Sequence, residues 1–117
     1  MFLQLAHTKK PIYKDSSDLV SECYLITALF PKEEKFAMIS QIRRAALSVH
    51  LNIAEGCSRR SETERKRYFE IARGSVIEVD AAIGVAFKLD FCKMESLRKI
   101  EILILSCLKQ LSALIGK

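Results

Sequence analysis

The chain has 117 residues, of which 50% are apolar, and a formal net charge of +5. This length corresponds to one domain with a modest core, and the apolar content argues against disorder. No apolar run approaches the ~20 residues that a membrane-spanning helix requires. The N-terminus lacks the features of a signal peptide, so we expect a cytoplasmic protein with one domain over residues 1–117.

Motifs that would indicate a cofactor or an active site are missing from the sequence. The four cysteines stand singly and form no Cys-x-x-Cys pair, so we expect reduced thiols that pack as small apolar groups. There is no metal-ligand spacing of Cys and His, no glycine-rich phosphate loop and no Gly-x-Ser-x-Gly sequence. The sequence therefore predicts no metal, no cofactor and no enzymatic activity.

Apolar residues at helical spacing predict four helices in chain order. The first carries Pro11 in its first turn and ends at Pro31, because the residue before a proline is disfavoured in a helix. We expect the second helix over about residues 33–55, the third over about 62–89, and the fourth from Leu97 to the C-terminus. Four amphipathic helices with short loops predict an all-α, up-down-up-down antiparallel four-helix bundle.

The second and third helices are expected to meet at a tight turn over residues 57–60. Gly56 follows the last periodic apolar residue, so it is predicted to end the second helix in the left-handed conformation. Ser61 and Glu64 have the spacing of a capping box at the start of the third helix. Glu55 is unfavourable at a helix C-terminus, so a cationic partner is predicted for it. The residues predicted to form a structural network at this corner are Asn52, Glu55, Gly56, Ser61, Glu64 and Arg73.

Positive charge is concentrated in the middle of the chain. Residues 32–73 contain ten Lys or Arg and six Glu, a net charge of +4. Such a region favours binding to RNA, DNA or an acidic protein, although a solvated helical face would show the same pattern. The residues predicted to bind nucleic acid are Arg43, Arg44, Arg59, Arg60, Arg65, Lys66 and Arg67.

The third and fourth helices carry more apolar residues than one core-facing stripe needs. The excess indicates burial against another subunit, and identical chains usually close into rings, although a wide core face would also explain it. Gly74 and Gly84 each cost stability in a helix, so close approach of a partner helix is expected there. The residues predicted to form an oligomer interface are Ile83, Phe87, Ile102 and Leu105.

A long central motif resembles a known family. The stretch QIRRAALSVHLNIAEG, followed by SRRSETER and IARGS, resembles the small four-helix-bundle proteins encoded within intervening sequences of bacterial 23S ribosomal RNA genes. It is also similar to the accessory variability protein of diversity-generating retroelements, and the upstream YLITALFPKEEKF fits the same pattern. The resemblance spans about Tyr13 to Ile115. It implies a homopentamer, because relatives assemble as pentameric barrels, and a reverse transcriptase as one candidate partner.

Three hypotheses for function follow. The first is a non-enzymatic, ring-forming nucleic-acid-binding or adaptor protein that contacts the RNA or DNA backbone through the corner between helices two and three. The alternative is a structural assembly module whose basic surface meets an acidic protein. The third is a ribonuclease that uses Arg44 and His50, a spacing found in some helical-bundle ribonucleases. Six positions along a helix leave those side chains roughly 120° apart, which argues against the third hypothesis.

Overall fold

The computed structural model of the protein describes residues 3 and 5–116, except for the side chains of residues 6 and 7. These residues form four α-helices and three short 3-10 helices, and no strand occurs among them. The α-helices are α1 (Pro11–Thr27), α2 (Met38–Ser58), α3 (Glu62–Lys88) and α4 (Arg98–Gly116). The prediction of an all-α fold with four helices is confirmed.

The four helices share one core. Each α-helix packs against the next in the chain, and α1 also packs against α4, which is the pairing that an up-down bundle requires. Every helix contributes side chains with no solvent exposure, among them Leu19, Ile42, Val79 and Leu111. Within the part of the chain that the structure describes, none of the helices has the length and apolar character of a membrane span.

The connection between α1 and α2 is longer than the sequence predicts. The first helix ends at Thr27 and the second begins at Met38, so the predicted boundaries at Pro31 and residue 33 are wrong. A 3-10 helix at Lys32–Glu34 occupies part of the gap. The Glu34 carboxylate accepts a hydrogen bond of 3.3 Å from the Met38 N–H, which supplies a partner for the first turn of α2.

Gly56 does not end α2 in the left-handed conformation as predicted. The helix continues to Ser58, and no described glycine has a positive φ. Gly56 is buried, and a Cβ atom there would lie 2.7 Å from Cε1 of Phe69 and 3.2 Å from Cβ of Tyr68. The glycine is therefore required by the close approach of α3, and the turn between the helices is residues 59–61.

The other two glycines of the pattern have open surroundings. A Cβ atom added at Gly74 or at Gly84 meets no atom of the described chain within 4 Å beyond its own helix neighbourhood. The expected close approach of a partner helix therefore does not occur within the chain at either position.

The four cysteines are free thiols. Cys23 and Cys107 are buried, and burial raises the pKa of each thiol to about 12. Cys57 and Cys92 are half-buried, and burial raises their pKa values as well. At neutral pH all four are protonated, in agreement with the predicted role as small apolar groups.

Candidate nucleic-acid interface

The seven basic residues predicted to bind nucleic acid lie in two regions of the surface. Arg43 and Arg44 lie near the start of α2, beside the end of α1. The other five lie at the turn between α2 and α3, which we call the α2–α3 corner (residues 55–70). Arg43 and Arg59 are 16 positions apart along α2, which corresponds to about 24 Å. The predicted residues therefore do not form a single cluster.

Arg59 is held within the α2–α3 corner. Its guanidinium group forms an ion pair with the Glu55 carboxylate one turn earlier and lies 5.1 Å from the centre of the Tyr68 ring. The hydrogen bond to Glu55 is the main cause that raises the pKa of Arg59. Glu55 thus has the cationic partner predicted for it, and Arg59 stabilises the corner.

Arg65 and Ser61 also stabilise this turn. Arg65 Nη1 donates hydrogen bonds of 2.9 Å and 3.0 Å to the carbonyl oxygens of Arg59 and Arg60. Ser61 Oγ accepts a 3.0 Å hydrogen bond from the Glu64 N–H and caps α3. This half of the predicted capping box is confirmed, while the described structure does not form the reciprocal bond from the Ser61 N–H to the Glu64 side chain.

Two cations of the corner, Arg60 and Arg67, are exposed to solvent, and a third, Lys66, is half-buried. Arg60 is exposed and has no acidic partner among the described residues. Arg67 is exposed, and its contact is with the Tyr68 ring, 5.6 Å from its centre. Lys66 lies 3.9 Å from the Glu62 carboxylate, in an open ion pair of the kind that contributes little stability. These three side chains are available to bind an anion.

The six residues predicted as a corner network make separate contacts. Asn52 Nδ2 donates to the carbonyl oxygen and the hydroxyl group of Ser48, at 2.9 Å and 3.1 Å. Ser75 Oγ of α3 donates to the same hydroxyl group at 2.9 Å, so this group links the two helices away from the corner. Arg73 is exposed on α3, with no polar partner among the described residues. A single network over all six is not formed.

The second basic region surrounds an open pocket of about 320 Å³ at the junction of α1 and α2. We call it the α1–α2 pocket, and its lining includes Tyr24, Lys35, Phe36, Ile39, Arg43 and Arg44. Arg43 Nε donates to the buried Thr27 hydroxyl group at 2.8 Å, and its Cζ lies 4.5 Å from the centre of the Tyr24 ring. Arg44 is exposed, with no ion-pair partner among the described residues.

The distribution of charge along the sequence points to this pocket, although the net charge of residues 32–73 as a whole does not. Residues 35–54 carry three cations and no Asp or Glu. In contrast, the corner over residues 55–70 has five cations and four Glu, a net charge of only +1. The local excess of positive charge is thus larger around the α1–α2 pocket than at the α2–α3 corner. Phe36 and Lys35 were not among the predicted site residues.

His50 is engaged by α1. Its Nδ1 lies 2.7 Å from Ser16 Oγ, and the centre of its ring lies 4.3 Å from that of Tyr13. The ring is half-buried, whereas Arg44 is exposed to solvent. His50 therefore contributes to the packing of α1 on α2, and this structural role accounts for a histidine at this position. Among the described residues, no three metal-ligating side chains are grouped so that they could hold an ion.

The four predicted interface residues differ in their exposure. Ile83 is only 6% exposed and belongs to the core of the chain, so it is not a surface residue as the prediction assumed. Phe87, Ile102 and Leu105 are 39%, 65% and 62% exposed. Phe87 and Leu105 line a groove of about 510 Å³ between α3 and α4, which leaves an apolar surface available to another molecule.

The comparisons with known proteins agree with this fold. The family model described as 23S rRNA-intervening sequence protein matches residues 8–113. The chain is also similar to the crystal structure of a protein of unknown function from the S23 ribosomal protein family of Bacteroides thetaiotaomicron, with a TM-score of 0.83. That similarity covers 91% of this chain and 99% of the other at 20% identity, and it shows the fold alone. No curated protein sequence gives a significant match. Because the family model covers most of its residues, the chain belongs to the 23S rRNA-intervening sequence protein family.

Proposed function

We propose that the protein is a non-enzymatic nucleic-acid-binding protein whose α2–α3 corner contacts the RNA or DNA backbone. The observation that carries the proposal is that Arg60 and Arg67 are exposed with no carboxylate partner. Arg59 and Arg65 bind within the turn and hold its shape, so the exposed cations are presented by an ordered backbone. Arginine forms strong charge-assisted hydrogen bonds to phosphate, and such contacts carry little sequence preference.

The proposal includes a homo-oligomeric ring of up-down bundles. Phe87, Ile102 and Leu105 supply the apolar surface for it, and the pentameric number comes from the family resemblance. A ring would repeat the corner once per subunit and so place several sets of cations along one nucleic acid. The resemblance also supports an adaptor role beside a nucleic-acid enzyme such as a reverse transcriptase.

We expect the double charge reversal Arg60→Glu/Arg67→Glu to weaken the binding of RNA and duplex DNA by at least about tenfold, because phosphate contacts are replaced by repulsion. Wild-type affinity should fall steeply between about 50 and about 200 mM salt, and the variant should show a smaller salt dependence. Fluorescence anisotropy with labelled RNA and DNA measures both quantities, and light scattering verifies that the oligomer is unchanged.

The matched control is Lys88→Glu/Lys109→Glu, which makes the same charge change at exposed positions of α3 and α4. An equal loss in the control would show that net charge, not the corner, governs binding. If the wild type binds neither polymer at low salt, the proposed function fails, and an acidic protein partner becomes the better hypothesis. RNA cleavage that disappears in His50→Ala would instead support a ribonuclease.

We expect Ile102→Asp/Leu105→Asp to convert the oligomer to a monomer with unchanged helix content. Buried carboxylates are costly in an apolar interface, whereas both positions are exposed in the isolated chain. Light scattering reports the mass, and circular dichroism reports the helices. The control is Leu25→Asp/Leu29→Asp, at positions that are 65% and 74% exposed in and just after the last turn of α1 and that do not line the groove between α3 and α4. A wild type that remains monomeric at high concentration would contradict the ring.

A further inference from the structure

We infer that the α1–α2 pocket binds an unpaired base of single-stranded nucleic acid, by stacking on Phe36, and the adjoining phosphates, by Lys35 and Arg44. This inference rests on the proposed function and deepens it, since it adds a second site and a preferred form of the ligand. The pocket is about 24 Å along α2 from the corner, so the two sites are distinct.

The first observation is an aromatic ring that the fold does not use. Phe36 is 89% exposed, the highest value among the large apolar residues of the described chain. It lies in the loop just before α2, where the backbone is ordered by hydrogen bonds from Lys35 and Ala37 to the 3-10 turn. An exposed phenylalanine contributes little burial to folding, but its face offers a surface on which any base stacks.

The second observation is the chemistry beside that ring. Lys35 Nζ lies 5.5 Å from the centre of the Phe36 ring, and Arg44 is exposed on the first turns of α2. Arg43 lies over the half-exposed Tyr24 ring and is anchored through Thr27, so its guanidinium plane is oriented in advance. Cations and aromatic rings that alternate in this way are typical of surfaces that bind single strands.

The third observation is that no carboxylate opposes these cations. None of the residues that line the α1–α2 pocket is acidic. The nearest acidic residue along the chain is Glu34, and its carboxylate accepts a hydrogen bond from the Met38 N–H at the start of α2. The lining of the pocket therefore carries three cations and no anion, whereas at the α2–α3 corner four Glu accompany five cations.

The form of the pocket favours a single strand over a duplex. Its volume of about 320 Å³ is at the small end of ligand pockets, which suits one extruded base. In a duplex the faces of the bases are covered by their neighbours, so Phe36 would have no face to contact. An acidic protein segment would need an apolar side chain at the right spacing to cover the ring, whereas every base of a single strand has a face that can stack on it.

The test compares Phe36→Ala with wild type by fluorescence anisotropy, using a labelled oligothymidylate of about 12 nucleotides and a duplex of the same length. We expect Phe36→Ala to weaken single-strand binding roughly tenfold and to leave duplex binding unchanged, since stacking is lost but no charge is removed. Phe36→Trp should restore single-strand binding. The matched control is Leu29→Ala, another exposed apolar residue near this end that does not line the pocket.

Each other outcome is decisive. If Phe36→Ala binds the single strand as tightly as wild type while Arg60→Glu/Arg67→Glu does not, the inference is overturned and the proposed function stands. If Phe36→Ala alone weakens binding, the pocket is supported and the corner is excluded as the contact. Equal losses for single strand and duplex would overturn the stacking assignment. Binding of neither polymer would overturn both, and an acidic protein would be the remaining candidate for the pocket.

Discussion

Gly56→Ala should lower the free energy of unfolding, whereas Gly74→Ala should raise it. An added methyl group at Gly56 would lie 2.7 Å from a ring carbon of Phe69, and Phe69 is only 5% exposed. The buried ring must shift to admit the methyl group, and such overpacking costs about 1–3 kcal/mol. The better helix propensity of alanine offsets at most about 1 kcal/mol of this cost.

At Gly74 the substitution by alanine brings only the gain in helix propensity, without a steric cost. No atom beyond its own helix neighbourhood lies within 4 Å of the added carbon, so the expected gain is about 0.5–1 kcal/mol. Urea denaturation followed by circular dichroism, at equal protein concentration, measures both variants. If Gly56→Ala proves as stabilising as Gly74→Ala, the close approach of α2 and α3 at this position is wrong.

Leu111→Ala should destabilise the fold by about 2–5 kcal/mol, because it removes a large side chain from the core and leaves a cavity. Leu111 has no solvent exposure and lies on α4, in contact with the shared core of all four helices. The expected result is a large fall in the urea midpoint with an unchanged slope, as for a cooperative two-state transition.

Leu105→Ala is the control within the same helix. Leu105 is 62% exposed, so its truncation should change the stability of the isolated chain by less than about 0.5 kcal/mol. If Leu105 contributes to a ring, its effect will appear at high protein concentration and vanish on dilution, whereas that of Leu111 will not. A large loss for Leu105→Ala that persists on dilution would contradict the position of α4.

The helices could be predicted from the sequence because their signal is local. Apolar residues at spacings of three and four mark the buried stripe of each helix, and the structure buries Leu19, Ile42, Val79 and Leu111 as that pattern requires. The Ser61 cap of α3 is likewise local, since donor and acceptor are three residues apart. The predicted start of α2 is too early, because helix periodicity does not show that the Glu34 carboxylate accepts a hydrogen bond from the Met38 N–H at the start of the helix.

The candidate site was only partly predictable, because it depends on contacts between side chains that a local sequence pattern does not show. Residue type identified Arg60 and Arg67 as candidate cations, but it did not show that Arg59 is paired with Glu55 and that Arg65 binds backbone carbonyls. A charge count over residues 32–73 also combined two regions that helix length keeps about 24 Å apart. The exposure of Phe36 depends on the path of one loop, which composition does not specify.

The sequence by itself determined that this chain forms four amphipathic helices, where their apolar faces lie, and which family it resembles. Those properties depend on residues close together in the chain, through helix periodicity and end capping. Only the tertiary structure decided that Gly56 is needed for Phe69, that Ile83 is buried, and that Phe36 borders three cations. Those properties depend on contacts between helices and on the course of a loop, which are set by packing in three dimensions.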